Sequence, residues 1–324
     1  MDGVPAIRFI DPVVFKICLP IWDTDGDGYI SENEANASDG RTIPQNAFNG
    51  RSDITSLDDL VKFAGYTFYG NFANMPNLET ASIGYRRNGP NILPYQAFMD
   101  DISLKRVTLN PYIEFIERLS FRGCIALKTI EWGGNEKEIS QDAFSRCIGL
   151  TKIELPDSIT IIKSTAFSDC TELVDVKFSS NIRSIGTAAF YNCKKLCSDV
   201  DLPNLEEISG RAFTGSAIRH VRNLGKITSF TEAYSVGAFN SCPSLLTVIL
   251  PATLESICKD AFSGCKLLEW VKLNSITPPV IDSTSFLRTN CVFYVPDSSI
   301  NAYKAATNWT SLANRIKPIS EFKE

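Results

Sequence analysis

The chain is poor in the residues and segments on which many common functions depend. Its 324 residues include one histidine, His220, so a catalytic triad built on histidine is nearly excluded. No apolar run is long enough for a transmembrane helix, which needs roughly 18 residues or more. No Lys/Arg-rich run is present and the net charge is −5, so we expect no nucleic-acid partner.

The first residues, MDGVPAIRF, contain neither the basic nor the apolar region of an export signal. Two explanations remain open: the protein is cytosolic, or its signal has been removed. Ten cysteines could indicate a disulfide framework, but such frameworks belong to short secreted chains without a hydrophobic core. Because 44% of this chain is hydrophobic, a core is available and the cysteines need another explanation.

What the sequence does contain is a repeat marked by phenylalanine. Successive markers are 24, 26, five times 23, 26, 23 and 24 residues apart. The markers are Phe48, Phe72, Phe98, Phe121, Phe144, Phe167, Phe190, Phe213, Phe239, Phe262 and Phe286. A period this steady predicts a solenoid in which every repeat is one coil.

Each repeat has the apolar spacing of one short strand followed by a turn. In AFSRCIGLTKIELPDSITII, Ile153 and Leu155 alternate with polar residues, as in a strand with one buried face. Pro156 donates no amide hydrogen, so the ladder ends there and the chain turns toward the other face. Ile159 and Ile162 then re-enter the core. One coil cannot bury its apolar side alone, so neighbouring coils stabilise each other.

The pattern Ala-Phe-x-x-Cys-x-x-Leu-x-x-Ile-x-Leu-Pro, seen across residues 46–296, resembles the BspA-type leucine-rich repeats of bacterial surface proteins. The fold expected is an α/β, leucine-rich-repeat right-handed solenoid, β-rich with short helical turns and about ten 23-residue coils. The resemblance implies a surface adhesin or binding protein. The coil after Phe213 departs from the pattern: Ser216 replaces the cysteine, and an extra segment, GKITSFTEAYSV, follows. We expect a bulge and a local specialisation there.

Six cysteines stand three residues after a marker phenylalanine and should form a column inside the solenoid. They are Cys124, Cys147, Cys170, Cys193, Cys242 and Cys265. Free cysteine is among the most buried residue types, so packing is the favoured interpretation. The alternative, a metal or redox site, would require a Cys-x-x-Cys pair with histidine nearby, and neither occurs.

The most specific short motif is DTDGDGYISENE, residues 23–34. It matches the calcium loop of an EF-hand position by position, with Gly28 at the sharp turn and Ile30 pointing inward. The expected Ca²⁺ ligands are Asp23, Asp25, Asp27, the carbonyl of Tyr29, Ser31 and Glu34. The alternative is an Asp/Gly-rich surface turn, which would have no reason to keep Glu34. A dockerin has two such loops, so cohesin binding is disfavoured.

Helical caps are expected at both ends of the repeats. Residues 1–45 form the predicted N-terminal cap with its calcium loop, 46–296 the solenoid, and 297–324 a C-terminal cap helix. The segment FKICLPIW reads as a short helix interrupted by Pro20. Tyr303 and Trp309 lie at helical spacing and should pack against the last coil.

Outward residues of successive strands should stack into columns that form a candidate binding face. In the middle coils lysine and glutamate alternate, which favours ordinary cross-strand pairing over partner recognition. Toward the C-terminal coils apolar and cationic residues meet, a composition typical of contact hot spots. This candidate partner site consists of His220, Arg222, Ile249, Trp270 and Lys272. The alternative is that the C-terminal cap covers Trp270.

Three functions therefore remain open. The first is a non-enzymatic, cell-surface or secreted adhesion protein, expected to be a monomer, whose strand face binds a host or bacterial surface protein. The second is a glycan-binding component of an extracellular nutrient-acquisition system, since aromatic platforms suit sugar rings. The third is a structural spacer with no partner. Paired carboxylate catalysis stays open in principle, but the acidic residues fall at positions expected to be solvated.

Overall fold

A computed structural model describes residues 5–37, 41–63, 71–83, 92–231 and 236–323. Two compact units, residues 1–150 and 151–324, divide the chain. Each unit consists of stacked coils with parallel strands, which is the architecture of a parallel β-solenoid with few helices, and the chain contains about ten such coils. This confirms the predicted solenoid. Within the described ranges, no helix combines the length and apolarity needed to cross a membrane.

Unit 1 begins with helices α1 (Pro12–Trp22) and α2 (Glu32–Asn36), followed by a 3-10 turn at Asp58–Lys62. Its strands are β1 (Thr80–Ser82), β2 (Ile92–Leu93), β3 (Arg106–Thr108), β4 (Phe115–Ile116), β5 (Thr129–Glu131) and β6 (Glu138–Ile139). The odd-numbered strands form one parallel ladder, and the even-numbered strands form a second. Each coil therefore supplies one strand to each ladder.

Unit 2 continues the same arrangement. Its strands are β7 (Lys152–Glu154), β8 (Ile161–Ile162), β9 (Asp175–Lys177), β10 (Ser184–Ile185), β11 (Val200–Asp201), β12 (Glu207–Ile208), β13 (His220–Asn223), β14 (Thr247–Leu250), β15 (Ser256–Ile257), β16 (Trp270–Leu273), β17 (Val280–Ile281), β18 (Val292–Val295) and β19 (Ile316–Pro318). Helix α3 (Ile300–Ala305) precedes β19, and 3-10 turns lie at Asp297–Ser299, Trp309–Arg315 and Ile319–Glu321.

The strands of unit 2 form long and short ladders. The long ladder runs β11-β13-β14-β16-β18-β19, and β7 pairs with β9. The short ladders are β8-β10-β12 and β15-β17. These two-residue strands contain the apolar residues, such as Ile162, at which the chain re-enters the core after its turn. The side of each coil opposite the long strands is therefore also hydrogen bonded to its neighbours. The sequence pattern did not predict this second ladder.

The marker phenylalanines form the central column of the core. Within each unit successive rings are 4.9 to 5.5 Å apart, and beyond the first coils they are nearly parallel. The chain around each ring is a run of turns. Around Phe144, for example, Asp142 and Arg146 have φ values of 58° and 63°. These left-handed residues reverse the chain on both sides of the ring, which holds Phe144 fully buried.

The cysteine column is buried as predicted. All six column cysteines are fully buried, and no disulfide joins any of the ten cysteines, all of which lie among the described residues. Cys18 and Cys291 are also buried, whereas Cys197 is exposed, so Cys193 and Cys197 do not form a pair. The packing interpretation is confirmed.

Helix α1 runs through Pro20, so the predicted interruption there is wrong. The helix begins after Asp11, whose carboxylate accepts hydrogen bonds from the amides of Val13 and Val14. Pro20 lies in the last turn, where only one backbone hydrogen bond is lost before the helix ends at Trp22. The Trp22 ring is fully buried, 4.3 Å from the ring of Phe63.

The C-terminal segment packs on the last coil through two aromatic residues. Trp309 and Tyr303 are fully buried, and the Trp309 ring meets Phe293 edge-on at 5.3 Å. The Trp309 indole nitrogen donates to the Pro279 carbonyl at 2.8 Å. The predicted core packing is confirmed, but β19, which adds a strand beside β18, was not predicted.

The coil after Phe213 contains the expected irregularity. The register between β11 and β13 shifts at Val200/Asp201. The extra segment contributes Ile227 and Phe230 to the core, where Phe230 meets the ring of Phe262 edge-on at 5.5 Å. Residues 232–235 of the predicted specialised loop lie outside the described residues.

Candidate functional site

The acidic loop connects α1 to α2 and is shaped by its own carboxylates. Asp23 accepts hydrogen bonds from the amides of Gly26 and Gly28 at 2.7 and 3.0 Å. Both glycines are left-handed, with φ of 76° and 87°, and no atom lies near the Cβ position of either. Ile30 is buried, as predicted, and its carbonyl accepts from the amide of Ile7 at 2.8 Å, which ties the loop to the chain before α1.

Three predicted ligands lie together in this loop. One carboxylate oxygen from each of Asp23, Asp25 and Asp27 lies within 4.8 Å of the other two. Asp25 and Asp27 each accept a hydrogen bond from the amide two residues on, at 3.1 and 2.9 Å. Three anionic oxygen donors on an exposed loop match the hard oxygen ligands that Ca²⁺ takes.

Glu34 and Ser31 have other partners in this arrangement. One Glu34 oxygen accepts from the amide and hydroxyl of Thr24, and the other from the amide and hydroxyl of Ser31. Ser31 and Glu34 thus form a capping box at the start of α2. Partial burial would raise the pKa of Glu34, but the hydrogen bonds from Ser31 and Thr24 outweigh it and lower the pKa to about 2.

The second candidate site is the terminal strand face, which we define as the outward side of the β11-β13-β14-β16-β18-β19 ladder. Register pairs His220 with Thr247, Thr247 with Trp270, and Trp270 with Val292. A second row contains Ile249, Lys272 and Tyr294. The ladder therefore brings four of the predicted partner residues into register, and the fifth, Arg222, lies at the register shift between β11 and β13.

Most polar residues of this face already contact a neighbour. The Nδ1 atom of His220 lies 2.7 Å from the hydroxyl of Thr247. Arg222 donates to Asp199 at 2.5 Å, with side chains 51% and 36% exposed. Elsewhere in unit 2, Lys177 pairs with Glu154 one coil earlier. The predicted cross-strand pairing is thus confirmed for Lys177 and Glu154 in the middle coils.

Trp270 is half-buried because the C-terminal segment covers it. The ring of Phe322 meets Trp270 edge-on, with centroids 4.7 Å apart. Phe322 also meets Tyr294 at 5.0 Å, and the Nζ atom of Lys272 lies 4.9 Å from the centre of its ring. Covering of Trp270 by the C-terminal cap was one of two predicted alternatives, but neither Tyr294 nor Phe322 was predicted to take part. The alternation of Val292 and Tyr294 around buried Phe293 was the available signal for Tyr294.

Comparison with known proteins gives a family and a set of distant structures. No curated protein matches the chain. Among solved structures, a leucine-rich repeat protein from Eubacterium ventriosum is 15% identical, with a TM-score of 0.44, over 74% of this chain and 76% of its own. A leucine-rich repeat protein from Bacteroides ovatus is 17% identical, with a TM-score of 0.36, over 70% of this chain and 68% of its own. A leucine rich cell surface protein from Faecalibacterium prausnitzii is 20% identical, with a TM-score of 0.34, over 82% of this chain and 94% of its own.

The family model described as the BspA type leucine rich repeat region matches residues 91–219 and 232–306 in six copies. The matched residues cover all six column cysteines and the marker phenylalanines from Phe98 to Phe286. They make up well over half of the sequence, and the chain belongs to the BspA type leucine rich repeat family.

Proposed function

We propose that this chain is a non-enzymatic, cell-surface or secreted binding protein whose terminal strand face engages a protein partner. The observation that carries the proposal is that Arg222, Ile249, Trp270 and Tyr294 lie on four successive strands of one ladder. A solenoid presents such columns as an extended recognition surface. Tryptophan, tyrosine and arginine are the residue types enriched where contacts contribute most to binding.

The electrostatics of this surface favour a protein partner over a glycan. Arg222 with Asp199, and His220 with Thr247, place charged and polar pairs beside the aromatic residues. Protein–protein interfaces typically have an apolar, often aromatic, centre surrounded by a polar and charged rim, and this surface has the same composition. The alternative of glycan binding is favoured by Trp270 and Tyr294, because aromatic rings can stack on sugar rings.

The surface location rests on the resemblance to repeats of bacterial surface proteins, and the non-enzymatic role rests on the side chains available. His220 is the one histidine, and its Nδ1 atom lies against the Thr247 hydroxyl on an open sheet face. General base catalysis requires a site that holds a substrate beside the base. The open sheet face around His220 provides no such site.

We also propose that the acidic loop binds Ca²⁺ and stabilises the N-terminal cap. Asp23, Asp25 and Asp27 would hold the ion, with the carbonyl of Tyr29 completing the loop. Glu34 would have to exchange hydrogen bonds from Thr24 and Ser31 for the ion. A bound ion would then link the end of α1 to the start of α2, a clamping role that suits a single loop without a paired partner.

The test of the main proposal is binding of the purified chain, with calcium present, to immobilised matrix proteins, bacterial surface proteins and polysaccharides. The double variant Trp270→Ala with Arg222→Ala removes the centre of the face, and Lys152→Ala on β7 is a matched exposed control. We expect saturable binding to a protein that the double variant loses and the control keeps. Binding to polysaccharides alone would support the glycan function, and no binding at all would support the spacer.

A further inference from the structure

The C-terminal segment returns over the terminal strand face after β19. It makes a 3-10 turn at Ile319–Glu321 and then places Phe322 against the outward side chains of β16 and β18. The ring of Phe322 lies at 76° to Trp270 and at 70° to Tyr294, so both contacts are edge-to-face. The ammonium group of Lys272 lies over the same ring at 4.9 Å.

This contact is on the solvent side of the sheet and is not part of the core. Trp270, Lys272 and Tyr294 are half-buried, and so is Phe322. The residues that alternate with them are fully buried and point into the solenoid. They are Val271, Leu273, Phe293 and Val295. The ring of Phe322 therefore lies in a surface site formed by two aromatic rings and one cation.

Apart from these ring contacts, the hydrogen bonds of residues 319–322 within the described part of the chain end on the Asp297 carboxylate, to which Ser320 and Ile319 both donate, and within the turn itself. The amide of Ser320 donates to the exposed carboxylate of Asp297 at 3.1 Å, and the amide of Phe322 donates to the carbonyl of Ile319 within the same turn. The hydrogen bonds to Ser320 lower the pKa of Asp297, which keeps the acceptor ionised. A segment anchored this lightly can leave the face without disturbing the strands below it.

We propose that Trp270, Tyr294 and Lys272 form a binding site for an aromatic side chain of a protein partner, and that Phe322 occupies this site in cis. The inference rests on the proposed function, because the site lies at the centre of the proposed binding face. A partner must then displace residues 319–322, so the segment competes with every ligand of the site and weakens its binding.

The geometry favours an aromatic side chain over a sugar. Edge-to-face packing and a cation above the ring both depend on the quadrupole of an aromatic ring. A sugar ring has no such quadrupole, so Lys272 above its plane would make no cation–π contact with it. Sugar recognition by aromatic residues uses parallel stacking, whereas both rings here stand close to perpendicular to the ring that they contact.

The experiment uses a fluorescent acetylated peptide with the sequence of residues 317–324, KPISEFKE, added in trans to the full-length chain. A second peptide with alanine in place of the phenylalanine is the matched control. The proteins are the natural chain, Phe322→Ala, Asp297→Ala and the double variant Phe322→Ala with Trp270→Ala. Fluorescence anisotropy gives each Kd, and circular dichroism checks that each variant is folded.

We expect Phe322→Ala to bind the phenylalanine peptide at least tenfold more tightly than the natural chain does. The alanine peptide should not bind, and Trp270→Ala should abolish the gain. Asp297→Ala, which loosens the segment but keeps its ring, should show a smaller gain and provides the test if Phe322→Ala fails to fold. Equal binding by the natural chain and both single variants would overturn the inference, and so would equal binding of the two peptides.

The peptide assay also separates this inference from the proposed function. If no macromolecule binds but the peptide behaves as expected, the proposed function fails and the aromatic site stands. If a protein partner binds while the peptide does not distinguish the variants, the function stands and the covering of Trp270 by Phe322 is ordinary packing.

Discussion

The thiol of Cys193 donates a hydrogen bond to the backbone carbonyl of Phe167, one coil earlier, at 3.2 Å. Cys124 and Cys147 make the same contact to Phe98 and Phe121 at 3.0 and 3.1 Å. Burial raises the pKa of the Cys193 thiol well above its usual range, so the proton that it donates stays in place. The column is therefore both apolar packing and a set of hydrogen bonds that join successive coils.

Ser216 provides a natural comparison for this contact. Its hydroxyl donates to the carbonyl of Phe213 in its own coil at 2.6 Å, because the shorter C–O bond favours the nearer acceptor. We predict that Ser216→Cys raises the free energy of unfolding by about 1 kcal/mol through a new bond to the preceding coil. Cys193→Ser should lower it by about 1 to 2 kcal/mol, since a contact between coils is lost.

Urea unfolding followed by circular dichroism measures both changes, and Cys197→Ser on the exposed thiol is the control. Unchanged free energies of unfolding for both Ser216→Cys and Cys193→Ser would show that the thiol hydrogen bonds between coils add nothing to stability.

Much of this column could be predicted because its cause is periodic. A burial pattern that repeats every 23 residues overrides local ambiguity, so the Phe and Cys columns and the strand at Lys152–Glu154 follow from the sequence. Features that occur once have no such averaging. The placement of Phe322 depends on a turn at Ile319–Glu321. The hydrogen bonds of Glu34 depend on whether its carboxylate caps α2 or binds an ion. A pattern of apolar residues encodes neither.

Asp101 occupies the column position three residues after Phe98 and is fully buried. One carboxylate oxygen accepts from the amide of Met75 at 2.7 Å, while the other has no hydrogen-bond partner among the described residues. Burial raises the pKa of Asp101 to about 8, opposed by the bond from Met75 and reinforced by nearby Asp100. The group is thus protonated in the folded chain at neutral pH.

This protonation predicts that stability falls as the pH rises. An unfolded aspartate has a pKa near 4, so between about pH 4 and pH 8 the folded state binds one proton more than the unfolded state. Its contribution is complete below about pH 4 and is lost as the pH approaches 8, with a slope of at most about 1.4 kcal/mol per pH unit. Asp101→Asn should remove this slope and be the more stable protein at pH 8.

Thermal melts at pH 4, 6 and 8 measure the effect, with Asp157→Asn, at an exposed position away from Asp101, as the control. Parallel pH profiles for the natural chain and Asp101→Asn would contradict the prediction, since Asp101 would then have the same pKa folded and unfolded.

The acidic loop predicts a calcium-dependent melting temperature. Asp25→Asn keeps an oxygen that can accept from the Asp27 amide, so the variant should retain the loop and lose one anionic ligand. We expect calcium at about 100 times its Kd to stabilise the natural chain by about 2.7 kcal/mol, and to stabilise the variant much less. Melting in calcium and in chelator measures this, and equal shifts for both proteins would refute the metal site.

Glu34 gives a prediction that holds without calcium. Glu34→Gln has one acceptor oxygen where four hydrogen bonds now end, so the cap of α2 should weaken by about 1 kcal/mol at pH 7 in chelator. Because the pKa of Glu34 is lowered, this contribution is present above about pH 4.5 and disappears as the pH falls toward 2. If Glu34→Gln were still less stable than the natural chain at pH 2, the cap would not depend on the charge of Glu34.

Asp11 connects the N-terminal helix to the first coil, and its removal should separate them. One oxygen caps α1 through the amides of Val13 and Val14, and the other accepts from the amide of Thr55 at 2.9 Å. The side chain is 3% exposed, so Asp11→Ala leaves buried amides without acceptors. We expect a loss of about 2 to 4 kcal/mol, larger than for a surface cap alone.

Asp53→Ala, which breaks an exposed pair with Arg51, should cost less than about 1 kcal/mol and controls for the loss of a negative charge. Hydrogen exchange then locates the effect. If Asp11 joins the helix to the coil, amides of both α1 and Thr55 should exchange faster in Asp11→Ala, whereas a purely local cap would expose α1 alone. Faster exchange confined to α1 would mean that the helix docks through Trp22 and Phe63, and that Asp11 serves only to begin it.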